Sequence, residues 1–192
     1  MNTDMTKTHS RLNQYCRFMT LLTLIPILIL LISAVSPLLY YFFDIPNLGL
    51  EFAGFSFFTS GGDYVDPKSL AGWQAAIATL MDTSLILLLV YAFYQLRLLF
   101  INYSQSEYFS VKSANHCYIF GKLLVCWVVI SFLSEPLLTT ILTYNQEESA
   151  RYFSISFSSD EIITLFLAIS IMLIGQILKK ACQLAEENKQ FI

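Results

Sequence analysis

Four blocks of mostly apolar sequence constrain this chain more than any other feature. They cover residues 18–43, 73–100, 118–144 and 162–178. A helix of about 20 apolar residues crosses the roughly 30 Å hydrocarbon core of a bilayer, and each block is near or above that length. A segment inside lipid has to satisfy its own backbone hydrogen bonds, and these blocks do not alternate as barrel strands do. The sequence therefore predicts four transmembrane helices.

The predicted fold class is an all-α membrane protein, a four-transmembrane-helix bundle in a single membrane domain, residues 1–192. Hydrophobic residues make up 56% of the chain and charged residues only 13%, whereas about 25% of a soluble domain is charged. The first block is too long for a cleaved signal peptide. We expect helices at 11–43, 69–103, 111–143 and 161–188, outer loops at 44–68 and 144–160, and an inner loop at 104–110.

Lysine and arginine are distributed unevenly between the two ends of the predicted spans. Nine of the eleven lie before span 1, around the connection between spans 2 and 3, or after span 4, while only Lys68 and Arg151 lie in the other loops. Basic residues in short loops mark the cytoplasmic side of a membrane. We therefore expect a multi-pass protein whose N- and C-termini are both cytoplasmic. No cysteine falls in the predicted outer loops, where a disulfide would form.

The predicted outer loops contain two segments with strand-like character. Residues 50–58 are aromatic and partly alternating, and residues 151–158 alternate strongly between apolar and polar side chains. We expect these segments to pair as a small extracytoplasmic β element over the bundle. The alternative is that both lie as irregular aromatic belts at the membrane interface.

Span 1 contains two prolines, Pro26 and Pro37, which cannot donate a backbone hydrogen bond. We expect neighbouring helices, or the hydroxyls of Ser33 and Ser36, to satisfy the carbonyls that the prolines leave free. A kinked packing helix is the simpler interpretation of this span, and a mobile gate is the alternative.

Two acidic residues fall inside the predicted spans, Asp82 in span 2 and Glu135 in span 3. Ionisable groups are costly in a bilayer and are functional candidates for that reason. Ser131, Glu135 and Thr139 recur every four residues, so they share one helix face. We hypothesise that Asp82, Glu135 and Ser131 line a polar cavity open to the outside, with at least one carboxyl protonated because neighbouring charges repel. The alternative is that both carboxylates lie near the outer headgroups.

The sequence resembles the YoaS-like family of small four-helix bacterial membrane proteins, a domain of unknown function. Residues 94–110 and 181–192 carry the resemblance. In that family a leucine-rich end of helix 2 leads into a Gly-Glu-hydrophobic-Phe-Thr/Ser turn, and the chain closes on a helix rich in alanine and glutamate. Ser106 occupies the position of the family glycine in this chain.

The turn after span 2 has a structural interpretation. We expect Glu107 to lie where the chain reverses and Phe109 to plug between helices 2 and 3. Serine is a favoured N-cap residue, so Ser110 is expected to cap helix 3. The amphipathic helix that continues span 4 carries Glu186 and Glu187 on its polar side. That helix is expected to pack on its neighbours, and docking of a soluble partner is the alternative.

The resemblance implies a bacterial cytoplasmic (inner) membrane location and a gene neighbour that encodes a Cro/C1-type helix-turn-helix regulator. A cytosolic helix-turn-helix regulator is therefore the partner it implies, in addition to the lipid bilayer. Glu107, Phe109, Glu186 and Glu187 form the candidate cytoplasmic turn and partner surface.

The function expected from these features is that of a non-enzymatic, sensory or regulatory membrane protein. The alternative is a small transporter, channel or immunity-type protein that uses the outer carboxylates. We expect no enzyme activity, cofactor or metal site, because the chain has no nucleophile motif, no CxxC and no histidine pair at ligand spacing. The net charge is −3 and no basic run occurs, so no direct nucleic-acid binding is expected. Gly121 and Gly175 are isolated, which leaves homo-oligomerisation open.

Overall fold

A computed structural model describes residues 2–43, 69–146, 153 and 159–190. Of these residues, those from 12 to 188 also have described side chains. The described part of the chain forms helices and no strands. The helices are α1 Asn2–Leu22, α2 Leu24–Ser33, α3 Ser36–Phe43, α4 Gly72–Ser104, α5 Val111–Thr143 and α6 Ser159–Gln190.

Four helical stretches of the described residues are long and apolar enough to cross a membrane. They are Leu12–Phe43, Gly72–Ser104, Val111–Thr143 and Ser159–Asn188. The predicted all-α fold with four spanning helices is confirmed. The segments expected to form the β element, residues 50–58 and 151–158, lie outside the described residues apart from Phe153, so that element stays a prediction.

Span 1 is built from three helices rather than one, and its prolines explain the division. Pro26 and Pro37 each lie in the first turn of a short helix, α2 and α3, where a missing N–H costs least. The expectation that serines satisfy the freed carbonyls is wrong. The Ser33 hydroxyl donates to the carbonyl of Ile29 at 2.8 Å, and Ser36 Oγ is buried without a hydrogen-bond partner among the described residues. The short Ser33 side chain reaches back to the preceding turn of its own helix.

The contacts divide the chain into two compact units. The terminal unit consists of residues 1–27, 91–125 and 163–192, and it contains both chain ends. The loop unit consists of residues 28–90 and 126–162, and it contains the two long connections.

In the terminal unit, α5 and α6 approach so closely that their backbones are in contact. A Cβ atom added to Gly121 would lie 2.4 Å from the backbone nitrogen of Met172, and one added to Gly175 would lie 2.5 Å from that of Tyr118. Small residues permit such approach between membrane helices. The two glycines that look isolated in the sequence therefore lie in one crossing within the chain.

The core of the loop unit joins span 1, α4 and α5. Its buried members are Tyr41, Ala75, Ala78, Leu138 and Leu142, with Tyr40, Leu70 and Met81 packed against them. The rings of Trp73 and Tyr144 also meet edge to face, with centroids 6.2 Å apart. These contacts determine how span 1, α4 and α5 pack in the region of Asp82 and Glu135, the two acidic residues of the spans.

Candidate functional site

Asp82 lies on the buried face of α4, in the loop unit. It follows Ala75 and Ala78 of the core at helical spacing, and its side chain is only 8% exposed. The hydroxyl of Tyr41 donates a hydrogen bond to Asp82 Oδ2 at 3.3 Å. The carboxyl group thus faces the interior of the unit, where it contacts span 1.

Gln74 sets the register of α4 against α5. Its side chain is fully buried, and its Nε2 donates to the carbonyls of Ile141 at 2.7 Å and Leu142 at 3.4 Å. Asp82 lies eight residues beyond Gln74 and Glu135 lies seven residues before Leu142, which are about 12 Å and 10 Å along antiparallel helices. The two carboxylates therefore lie at a similar height within the loop unit, as the cavity hypothesis requires.

The predicted polar face of α5 is partly buried. Ser131 and Glu135 are half-buried, whereas Thr139 is fully buried and its hydroxyl donates to the backbone carbonyl of Glu135 at 3.1 Å. A cavity of about 610 Å³ in this unit is lined by Ala34, Thr79 and Thr83 among others, and not by the three predicted residues. A cavity shared by Asp82, Glu135 and Ser131 therefore stays a prediction.

Sequence reasoning missed Tyr41 and Gln74. Tyr41 stands in the run Tyr-Tyr-Phe-Phe, which resembles an interfacial belt, and Gln74 lies just inside the start of α4. The only available signal was the cost of burying a carboxyl or an amide without a partner, which predicts that a partner exists but does not identify it.

The second candidate site, in the terminal unit, is the turn between α4 and α5. α4 ends in a Schellman motif: Glu107 N–H donates to the Asn102 carbonyl and Ser106 N–H to the Tyr103 carbonyl, both at 3.1 Å. Ser106 takes the left-handed position of this motif, with φ of 67°. Glycine is usual there because it has no Cβ, which explains why the resembled family has glycine at this position.

Asn13 of α1 holds the turn through both ends of its amide. Its Nδ2 donates to Ser106 Oγ at 3.0 Å, and its Oδ1 accepts a hydrogen bond from the hydroxyl of Tyr108. The Tyr108 ring also packs on Tyr103, with centroids 5.8 Å apart. The side chain at position 106 thus provides a contact that glycine would not.

Ser110 caps α5, which confirms its predicted role. The Ser113 N–H donates to Ser110 Oγ at 3.1 Å, the contact of an N-cap with the third helical residue. Ser113 is fully buried, and its hydroxyl donates to the carbonyl of Glu107 at 2.8 Å. Glu107 therefore lies at the chain reversal, with its backbone bonded on both sides and its side chain exposed.

The prediction that Phe109 plugs between helices 2 and 3 is wrong, because its side chain is 85% exposed. Tyr108 takes the inward position instead, since its hydroxyl reaches Asn13 and its ring reaches Tyr103. With Tyr108 inside, the next side chain along the turn faces outward.

Residues 106–112 and Glu186 of α6 line one open cavity of about 570 Å³. Three of the predicted partner-surface residues therefore lie together, and the fourth, Glu187, is exposed on the next position of α6 without lining the cavity. We call Glu107, Phe109, Lys112 and Glu186 the turn surface. It combines an exposed aromatic ring with two carboxylates and one ammonium group.

Four long apolar helices define this chain as a multi-pass membrane protein. The chain belongs to the family described as protein of unknown function DUF2975, whose model matches residues 16–192. No curated protein and no solved structure matches the chain. The match includes both the turn after α4 and the spans that carry Asp82 and Glu135.

Proposed function

We propose that this protein is a non-enzymatic regulatory protein of the bacterial cytoplasmic membrane, with both termini in the cytoplasm. The orientation rests on the distribution of basic residues, nine of eleven of which lie on the side of the termini. The terminal unit contains these ends and the turn surface, so the turn surface faces the cytoplasm in this proposal.

The turn surface is the proposed docking site for a cytosolic partner. The observation that carries this proposal is the exposure of Phe109, 85%, beside the carboxylates of Glu107 and Glu186. A large exposed aromatic ring surrounded by polar groups is typical of a protein-binding surface, where such rings anchor the contact. Asn13 and the Schellman motif hold the turn in place, which lowers the entropy cost of binding.

The partner we propose is a helix-turn-helix regulator, as the resemblance to the YoaS-like family implies. Regulators of this kind are basic where they contact DNA. The carboxylates of Glu107 and Glu186 are complementary to such a surface, so that membrane binding and DNA binding would compete. Binding of the regulator to this membrane protein would then relieve or impose repression of the regulator's target genes, according to the signal.

Co-purification tests this function. The tagged full-length protein is extracted in mild detergent from cells that express the regulator of the adjacent gene. We expect the regulator to co-purify, and Glu107→Lys with Glu186→Lys to reduce its recovery at least tenfold. The matched control is Asp160→Asn, an exposed acidic position of the loop unit. Equal recovery with all variants, or none with the wild type, contradicts the proposal.

A small transporter, channel or immunity-type protein is the second candidate function. It is favoured by the burial of Asp82 and by the similar height of Asp82 and Glu135. This function predicts solute flux or toxin protection that is lost in Asp82→Asn and Glu135→Gln. Retention of both phenotypes in these variants would exclude it.

A further inference from the structure

Asp82 has no basic side chain to compensate its charge in the described part of the loop unit. Residues 28–43, 69–90, 126–146 and 159–162 contain no lysine, arginine or histidine. The Tyr41 hydroxyl is a neutral donor, and its distance of 3.3 Å is long for an O–H···O bond. A buried carboxylate is costly unless it is paired. Among these residues, only a proton or a bound cation can therefore neutralise the charge of Asp82.

The break of span 1 lies against this carboxylate. Thr83, the neighbour of Asp82, donates a hydrogen bond to the carbonyl of Ala34 at 3.4 Å. Tyr41 contacts Asp82 itself, so two consecutive residues of α4 hold both ends of segment 34–41. Ala34 and Tyr41, which flank Ser36 in the chain, therefore pack against α4 at Thr83 and Asp82.

Two oxygen groups at the break lack their ordinary partners. Ser36 is 3% exposed, and its Oγ has no hydrogen-bond partner among the described residues. Pro37 has no N–H, so the carbonyl of Ser33 lacks the donor that an unbroken helix would supply four residues on. A proton on Asp82 would satisfy the carboxyl group alone, whereas a bound cation can accept lone pairs from all of these oxygens.

We propose that Asp82, Ser36 and the span 1 break at residues 33–37 form a binding site for a small monovalent cation, sodium. Hard cations take carboxylate, carbonyl and other oxygen ligands. Interrupted membrane helices provide such ligands from their freed carbonyls. Asp82 supplies one negative charge, which a monovalent ion balances. This inference does not rest on the turn surface or on the identity of the cytosolic partner.

The test is a thermal unfolding series on the purified full-length protein in detergent. Both tryptophans, Trp73 and Trp127, lie in the loop unit, so their fluorescence reports on the unit that contains the site. Sodium chloride replaces choline chloride at constant ionic strength and pH. Because a ligand bound to the folded state stabilises it, we expect Tm to rise saturably, by roughly 5–10 °C at one hundred times the Kd.

Two pairs of matched variants localise the effect. Asp82→Asn should abolish the sodium dependence of Tm, whereas Asp160→Asn, at an exposed position of the same unit, should retain it. Ser36→Ala should raise the half-saturating sodium concentration about tenfold, since it removes one ligand. Ser84→Ala should leave that concentration unchanged, because Ser84 lies outside the site, is exposed, and has its hydroxyl bonded to the carbonyl of Met81 at 2.7 Å.

Four results would overturn the site. One is an equal rise of Tm in choline chloride, and another is an intact sodium response in Asp82→Asn. The third is stabilisation by Mg²⁺ or Ca²⁺ instead of sodium. The fourth is a loss of stability when Lys68 or Arg151 is replaced, together with no sodium response of Tm. That result would assign the positive charge that balances Asp82 to one of those side chains. If Asp82→Asn does not fold, the comparison of Ser36→Ala with Ser84→Ala decides.

Discussion

Alanine at Gly121 or Gly175 should destabilise the terminal unit, because α5 and α6 touch through their backbones there. The added Cβ would lie 2.4 Å from Met172 N in one case and 2.5 Å from Tyr118 N in the other. Ordinary contact begins at 3.4 Å, so the helices have to separate by about 1 Å, the difference between 3.4 Å and 2.4 Å. The clashing atoms belong to the main chain and cannot turn aside as a flexible side chain can.

The expected magnitude follows from two opposing effects. Overpacking of a close-packed contact costs about 1–3 kcal/mol, and a clash with backbone belongs at the upper end of that range. Replacing glycine by alanine inside a helix contributes about 1 kcal/mol in the other direction. The net destabilisation is therefore about 2 kcal/mol for each variant. The double variant should cost less than the sum, because one separation of the helices accommodates both methyl groups.

Reversible unfolding in mixed micelles, followed by far-UV circular dichroism, measures these differences. The control is Gly72→Ala, since a Cβ at Gly72 would meet nothing within 4 Å. It should change the free energy of unfolding by less than about 0.5 kcal/mol. If Gly121→Ala and Gly175→Ala are as stable as the wild type or more so, helix propensity alone governs these positions and the close crossing is refuted.

Three further predictions use the same unfolding assay. Ser106→Gly should stabilise the protein by about 1 kcal/mol in an Asn13→Ala background, because only the left-handed backbone strain at position 106 is relieved there. In the wild type the gain should be smaller, because the hydrogen bond from Asn13 to Ser106 is lost as well. Equal gains in both backgrounds would contradict this coupling. Ser110→Ala should cost about 1 kcal/mol through loss of the N-cap, and Ser110→Asp should restore most of it. Gln74→Leu should cost about 2 kcal/mol because it leaves buried backbone groups unpaired, whereas the exposed Gln176→Leu should be nearly neutral.

The spans could be predicted from the sequence because a bilayer imposes one strong requirement, a long apolar helix. Residues 111–143 were expected to form the third helix, and α5 has the bounds Val111–Thr143. The Ser110 cap could also be predicted from the sequence, because Ser110 lies only three residues before Ser113, whose N–H donates to it. Both features are local in sequence.

Contacts between helices could not be predicted from the sequence in the same way. Gly121 and Gly175 are 54 residues apart, and only the structure joins them in one crossing. Tyr108 and Phe109 are adjacent aromatic residues, and the choice of which one faces inward depends on Asn13, far away in the chain. A single sequence gives helix faces but not their partners, so Asp82 could be picked out while Tyr41 could not.

The exposure of Phe109 is the basis for assigning the turn surface to a partner, so a photo-crosslinking amino acid at that position tests the proposed function most directly. The measurement is made in living cells that express the regulator, with p-benzoylphenylalanine at position 109 and, in a separate strain, at the exposed Tyr144 of the loop unit. We predict an adduct with a helix-turn-helix DNA-binding protein from position 109 alone, abolished by Glu107→Lys with Glu186→Lys. No such adduct at position 109, or the same adduct from Tyr144, would contradict the proposal.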